Sequence, residues 1–353
     1  MTPHSRQAPR RQRGFTLVEM LLAFTLLAVI LLISFQLLSA SQNSWKRVSD
    51  EAMQFREARL AFEAITRRLK HATLNQYWDY EFNDRGKPVR YTRQSDLHFV
   101  SGNLTAVTDL PPSQYPTHGV FFQAPLGYTD TSNLRGLNES LNTWGYFLEF
   151  DEHNAETPPF LRNIVEERPR FRLIELRKPT ENLDIFSNSE QRRNQSLQDE
   201  RGWFAEYLTA GNAEQFKRVV AENILALVFT PLYSDTEDNR ARPPLPYDYD
   251  SRAGLTDPSA TAQSTLHTLP PRLRITLVAA TETSIQRTGD SNSTPSYVSQ
   301  SLFTDSNRYD SDLESLRESL QKERIDYQIF STVIPMRASK WSNPDWVQSS
   351  SNG

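Results

Sequence analysis

A chain of 353 residues, 37% hydrophobic and 23% charged, holds one large or two ordinary folded domains and is too polar for a multi-span membrane protein. Its 39 basic and 43 acidic residues give a net charge of −4, which argues against a nucleic-acid partner, whose phosphates call for clustered Lys and Arg. The absence of cysteine excludes disulfides, thiolate metal sites and thiol nucleophiles.

The first 14 residues carry Arg6, Arg10, Arg11 and Arg13 and no acid. Residues 15–38 follow with a single charge, Glu19. As a helix rising about 1.5 Å per residue this run is roughly 36 Å long, enough to cross a hydrocarbon core of about 30 Å with some tilt. The arginines place the N-terminus in the cytoplasm and the rest of the chain across the membrane. Glu19 costs about 2.5–3.5 kcal/mol inside a bilayer and is a functional residue by default. The run is too long for a cleaved secretory or twin-arginine signal, whose apolar cores span about 7–15 residues. A plain signal anchor stays open, with Glu19 then an accident of composition.

The basic leader, Gly14, Phe15, the following Thr-Leu-Val and Glu19 resemble the N-terminal signal of type IV pilins and pseudopilins. The resemblance implies that prepilin peptidase cuts after Gly14 and methylates Phe15. It also implies that Glu19 pairs with the amino terminus of a neighbouring pilin-like subunit during assembly. Elementary electrostatics runs the same way, because a buried carboxylate needs a buried positive partner. Loss of the leader's four arginines leaves 35 basic against 43 acidic residues, a net charge of −8. The implied location is the bacterial inner membrane, single-pass and in contact with its lipid, with a periplasmic body that stands in a pseudopilus once assembled.

Residues 41–74 contain no Gly or Pro and continue the helix. Trp45, Val48, Ala52, Phe55, Ala58, Phe62, Ile65, Leu69 and Ala72 recur at steps of three or four, forming one apolar face. A continuous helix over 15–74 would be roughly 90 Å long. Its stripe is expected to cover a sheet of the same chain, with a coiled coil as the alternative. Tyr77, Trp78, Tyr80 and Phe82 are expected to staple the helix end to that sheet.

Strands are expected over 96–101, 119–124, 143–150, 171–176, 225–229, 272–279 and 326–334. Helices are expected over 212–224 and 311–323. In 272–279, Leu273, Ile275, Leu277 and Ala279 alternate inward, with Arg272, Arg274, Thr276 and Val278 outward. Residues 178–201, 234–268 and 284–310 read as long surface loops that build no core. The fold class is α+β: a long N-terminal helix packed on an antiparallel, strand-rich body. The expected division is a leader over 1–14, a transmembrane helix over 15–38, its amphipathic continuation over 39–75 and an extracytoplasmic body over 76–353.

The runs VAENILALVFTPLY, LPPRLRITLV and YQIFSTVIPMRASKW resemble the J-type minor pseudopilin of type II secretion. QFREARLAFEAITRRLKHATLNQYWDYE, FFQAPLGY, LNTWGYFLEF, AENILALV and the terminal RASKW resemble the Verru_Chthon cassette protein C family more closely. That likeness implies membership in a multi-pilin cassette and assigns no biochemical activity.

Catalytic signals are scarce. The six histidines (His4, His71, His98, His118, His153 and His267) show no metal-ligand spacing, and no phosphate loop or nucleophile elbow occurs. His98 reads as a solvent-facing strand residue. Two acidic clusters, Asp235, Glu237 and Asp238, then Asp248 and Asp250, have oxygen ligands suited to calcium but lack the loop glycine and ligand spacing. Both read as solvated loops, and no cofactor is expected. The expected function is a structural or assembly subunit, not an enzyme. The alternative is an anchored extracytoplasmic binding protein that does not polymerise.

Overall fold

A computed structural model of the chain describes residues 17–151, 169–185, 201–209, 215–234, 244–253, 266–288, 298 and 301–341. The chain divides into two compact units, 1–53 and 54–353. Helix α1, Leu17–Leu69, is unbroken, as a sequence free of Gly and Pro allows. It stops short of the expected residue 74. His71 and Ala72 donate to the Arg68 and Leu69 carbonyls, three residues back, tightening the last turn. Thr73 N–H then bonds the Gln123 carbonyl at 3.0 Å, drawing the main chain off the helix axis.

The body contains strands β1 (Tyr77–Phe82), β2 (Pro88–Gln94), β3 (Val100–Asn103), β4 (His118–Pro125), β5 (Leu141–Asp151) and β6 (Arg170–Lys178). They are followed by β7 (Lys217–Glu222), β8 (Ile224–Leu232), β9 (Tyr249–Asp250), β10 (Arg272–Ala280) and β11 (Tyr327–Pro335). Its helices are α2 (Leu104–Thr108), α3 (Gly202–Thr209), α4 (Glu282–Arg287) and α5 (Tyr309–Lys322). Among the described residues, a six-stranded sheet has the order β7-β6-β5-β4-β3-β9, a three-stranded sheet β11-β10-β8, and β1 pairs with β2 alone. Every pairing is antiparallel. The α+β class therefore holds.

From residue 54 onward the α1 stripe is buried: Ala58, Phe62, Ile65 and Leu69 join one core cluster with residues of β4, β5, β6, β8 and β10. Phe62 meets Phe330 of β11 with ring centroids 5.9 Å apart. On β5, Trp144, Tyr146 and Leu148 point one way and Phe147 the other, and all four are buried. Phe147 and Phe121 share the second face with α3, where Phe121 stacks on Phe204 at 4.0 Å. Gly145 makes room for this stack, since a Cβ there would lie 2.5 Å from the Phe121 ring.

Several expectations fail for physical reasons. Within 212–224 the structure has β7, paired with β6 through Leu173 and Ala221, in place of a helix. The β-branched Val219 and Val220 suit a strand, and β6 offers an open edge. One residue later, Asn223 adopts φ 58° and sends the chain into the other sheet as β8; asparagine tolerates that left-handed geometry. On β10, Thr276 and Val278 are fully buried instead of outward. Helix α5 covers them, with Val278, Leu316 and Leu320 in one cluster and Thr276 Oγ1 2.7 Å from Tyr309 Oη. The stretches read as coreless loops contribute Lys178, Ile185, Leu245, Tyr247, Tyr249, Val298 and Phe303, all buried. Tyr77, Trp78, Tyr80 and Phe82 form β1 of a separate hairpin, where Trp78, Tyr80 and Phe82 are exposed and Trp78 stacks on Tyr91 at 5.5 Å.

Candidate functional site

Leu17–Ser39 form a 23-residue span of mean hydropathy 2.7, long and apolar enough to cross a membrane. Its large side chains are open on all sides, from Leu17 at 78% exposed to Met20 at 48%. A helix that is apolar all round requires lipid or other helices about it. Thr25 donates its hydroxyl to the Leu22 carbonyl at 2.9 Å, so its polar group needs no water. Glu19 stands in the first turn, exposed, where the positive end of the helix dipole favours a carboxylate. Gly14, Phe15, Arg10, Arg11 and Arg13 lie outside the described residues, as do Asp235, Glu237 and Asp238. Among the described residues no group of three or more His, Asp or Glu side chains is arranged to hold a metal ion.

The body holds two polar clusters that the sequence does not announce. In the first, Arg68 of α1 meets Glu175 of β6 in an ion pair and donates to Tyr146 Oη of β5 at 2.6 Å. Tyr146 and Glu175 are register partners, and Tyr146 donates to Glu175 at 2.8 Å while accepting from Trp144 Nε1 at 3.1 Å. The Arg68 guanidinium also lies over the Trp144 ring, 4.6 Å from its centroid. Burial, reinforced by Glu175, pushes the Tyr146 hydroxyl well above the ordinary tyrosine range, so it stays a neutral donor. This set pins the end of α1 to the six-stranded sheet. The only local hint of it is Glu175, a lone acid inside an otherwise apolar strand core.

The second cluster overturns two readings at once. His98 is fully buried instead of solvent-facing, and Asp250 is buried instead of lying in a solvated loop. His98 Nε2 lies 2.6 Å from Asp250 Oδ1, while Nδ1 accepts from the Trp203 indole at 3.1 Å. An indole nitrogen only donates, so the proton sits on Nε2 and the imidazole is neutral. Burial pushes His98 below its ordinary pKa against the pull of Asp250. Although burial opposes it, His98 and Arg201 hold the Asp250 carboxyl below the usual carboxylate range. Arg201 donates to Asp250 Oδ2 at 3.0 and 2.9 Å.

A histidine beside an aspartate resembles half of a catalytic triad, but a general base needs one ring nitrogen free to take a proton. Both nitrogens of His98 are engaged within the fold, so the group fastens β9 and α3 to the segment preceding β3. His118 works similarly: one nitrogen contacts the Phe303 carbonyl at 2.7 Å and the other accepts from Phe229 N–H at 3.2 Å. Burial pushes its pKa down as well. The distant partners in both sets, 105 to 185 residues away, explain why spacing alone could not reveal them.

Exposed apolar span and inward-tied body together describe a membrane-compatible helix carrying a folded domain. Residues 9–35 match the prokaryotic N-terminal methylation motif, the prepilin-type signal of pilin-like and pseudopilin-like exported proteins. No curated protein matches the chain, and no solved structure matches it.

Proposed function

We propose that the chain is a structural subunit, of minor pilin or pseudopilin character, in a type IV pilus- or type II secretion-related machine. Prepilin peptidase cuts after Gly14 and methylates Phe15, and the mature helix stays in the inner membrane with the body in the periplasm. On assembly, the helix leaves lipid for a bundle of pilin-like helices, where Glu19 neutralises a neighbour's terminal amine. The likeness to J-type minor pseudopilins and to the Verru_Chthon cassette protein C family belongs to this reading. The observation that carries it is the methylation motif over residues 9–35, with one acid in an otherwise apolar span.

Mass spectrometry of the native N-terminus tests it. The expected terminus is methylated Phe15, and Gly14→Ala should keep the leader. Glu19→Ala should be cleaved yet fail to enter filaments. A native chain beginning at Met1, or at Ser41 without the apolar helix, rejects the reading.

A further inference from the structure

Both ring nitrogens of His98 are committed, and the commitment on one side excludes a charge. Nε2–H donates to Asp250 Oδ1 at 2.6 Å, and Nδ1 accepts the indole N–H of Trp203 at 3.1 Å. An imidazolium carries a proton on both nitrogens, and an indole N–H cannot accept one. A proton on Nδ1 therefore sets two donors against each other, so His98 takes a charge only where Trp203 has moved away.

Trp203 carries α3 with it. Side chains tie this helix down: Phe204 stacks on Phe121, Tyr207 Oη donates to Asp184 at 3.0 Å and Tyr115 Oη to the Leu208 carbonyl at 3.3 Å. Arg201, just before the helix, bonds Asp250 and, at 2.9 Å, the Val107 carbonyl. A small unit held this way opens locally more easily than a strand held on both sides. His118 stands differently. Its acceptor nitrogen receives Phe229 N–H of β8, and β8 is zipped to β10, so a proton there requires two sheets to part.

We propose that His98 is an acid-operated latch: one proton taken up at Nδ1 releases Trp203 and lifts α3 from the six-stranded sheet while the sheets stay folded. The opening uncovers Phe121 and Phe147 on the sheet and Trp203 and Phe204 on the helix, all buried in the closed form. Burial, the largest influence on His98, disfavours its charge. Of the charged groups that face it, Asp250 of β9 favours the imidazolium, while Arg252 beyond β9 and Arg201 ahead of α3 oppose it. From β4 the neutral Gln123 side chain accepts the His98 backbone N–H at 2.8 Å. The closed form thus refuses a proton that the open form accepts below about pH 6.5, and acid favours opening. The latch belongs to the body and does not depend on the fate of the N-terminal helix.

The test is amide hydrogen exchange of the full chain in detergent micelles, read by mass spectrometry and corrected for the intrinsic effect of pH on exchange. At each pH the α3 amides should exchange faster than those of β5. Between pH 7.5 and 5 their protection should fall at least about fivefold and as much as about thirtyfold, the limit set by one histidine of ordinary pKa in the open form. His98→Gln keeps a neutral donor and acceptor and should flatten this dependence, whereas His118→Gln should preserve it. If His98→Gln fails to fold, the comparison of α3 with β5 in the unaltered chain decides alone. A fall smaller than about fivefold, or α3 and β5 exchanging together at every pH, overturns the proposal. So does a pH dependence that survives His98→Gln or vanishes in His118→Gln.

Discussion

The two stretches of α1 make the same backbone structure under opposite instructions. Over Leu17–Ser39 the apolar side chains surround the helix and none is covered. Over residues 54–69 they form a single stripe, and Ala58, Phe62, Ile65 and Leu69 are buried while Arg59 and Leu60 stay exposed. Helical propensity does not distinguish the stretches; the angular distribution of apolar residues does. The first stretch is stable only where its whole surroundings are apolar, whereas the second needs one surface and draws it from its own chain.

Substitutions should respect that difference. Ile65→Ala or Leu69→Ala, at fully buried positions, should lower the stability of the body by about 2–5 kcal/mol through lost contact and the cavity left behind. Leu27→Ala, in the open span, should leave melting of the body within about 0.5 kcal/mol. Denaturant unfolding in micelles, followed by tryptophan fluorescence, reads both. Equal effects at Leu27 and Leu69 would erase the distinction.

Arg68→Ala should cost about 2–3 kcal/mol, because it strands Glu175, whose side chain is 2% exposed, without its cation. Adding Glu175→Gln should recover part of that loss. No recovery would mean that Arg68 acts through packing on Trp144 and not through charge.

Acid should weaken the body as well. His98 and His118 are buried and neutral, with folded pKa values below the ordinary 6.5. Below about pH 6.5 the unfolded chain takes up protons that the folded chain refuses, so stability falls as pH falls, by up to about 1.4 kcal/mol per unit for each histidine. Asp250, held low in the fold, adds to the decline only below about pH 4. Melting from pH 7.5 to 5 should show the slope, and a flat profile would mean that these imidazoles protonate without opening the fold. The smallest effect belongs to the solvent side of α1: Arg59→Ala, breaking its pair with Glu63 at 69% and 50% exposure, should change stability by less than about 0.5 kcal/mol.

Legibility in the sequence follows the range of the forces involved. The N-terminal span, the stripe through Phe62, Ile65 and Leu69, and strands such as β4, β5 and β10 come from local periodicity, which the order of residues encodes directly. The burial of His98 is decided by Trp203 and Asp250, far along the chain, and leaves no local signal. Tyr247 and Phe303 are single apolar anchors hidden among polar flanking residues. Around Val219, strong helix formers surround a β-branched pair whose neighbour, β6, lies outside any local window.

Asn223 has a mechanical consequence. It is the single residue between β7 and β8, which belong to different sheets, and its side chain is anchored to Glu282 at 2.8 Å. Two peptide links reach only about 7 Å when taut, so the joint has no slack to absorb a slip. Tension applied to one sheet is handed at once to the other, and the body should yield under load in one step and not sheet by sheet.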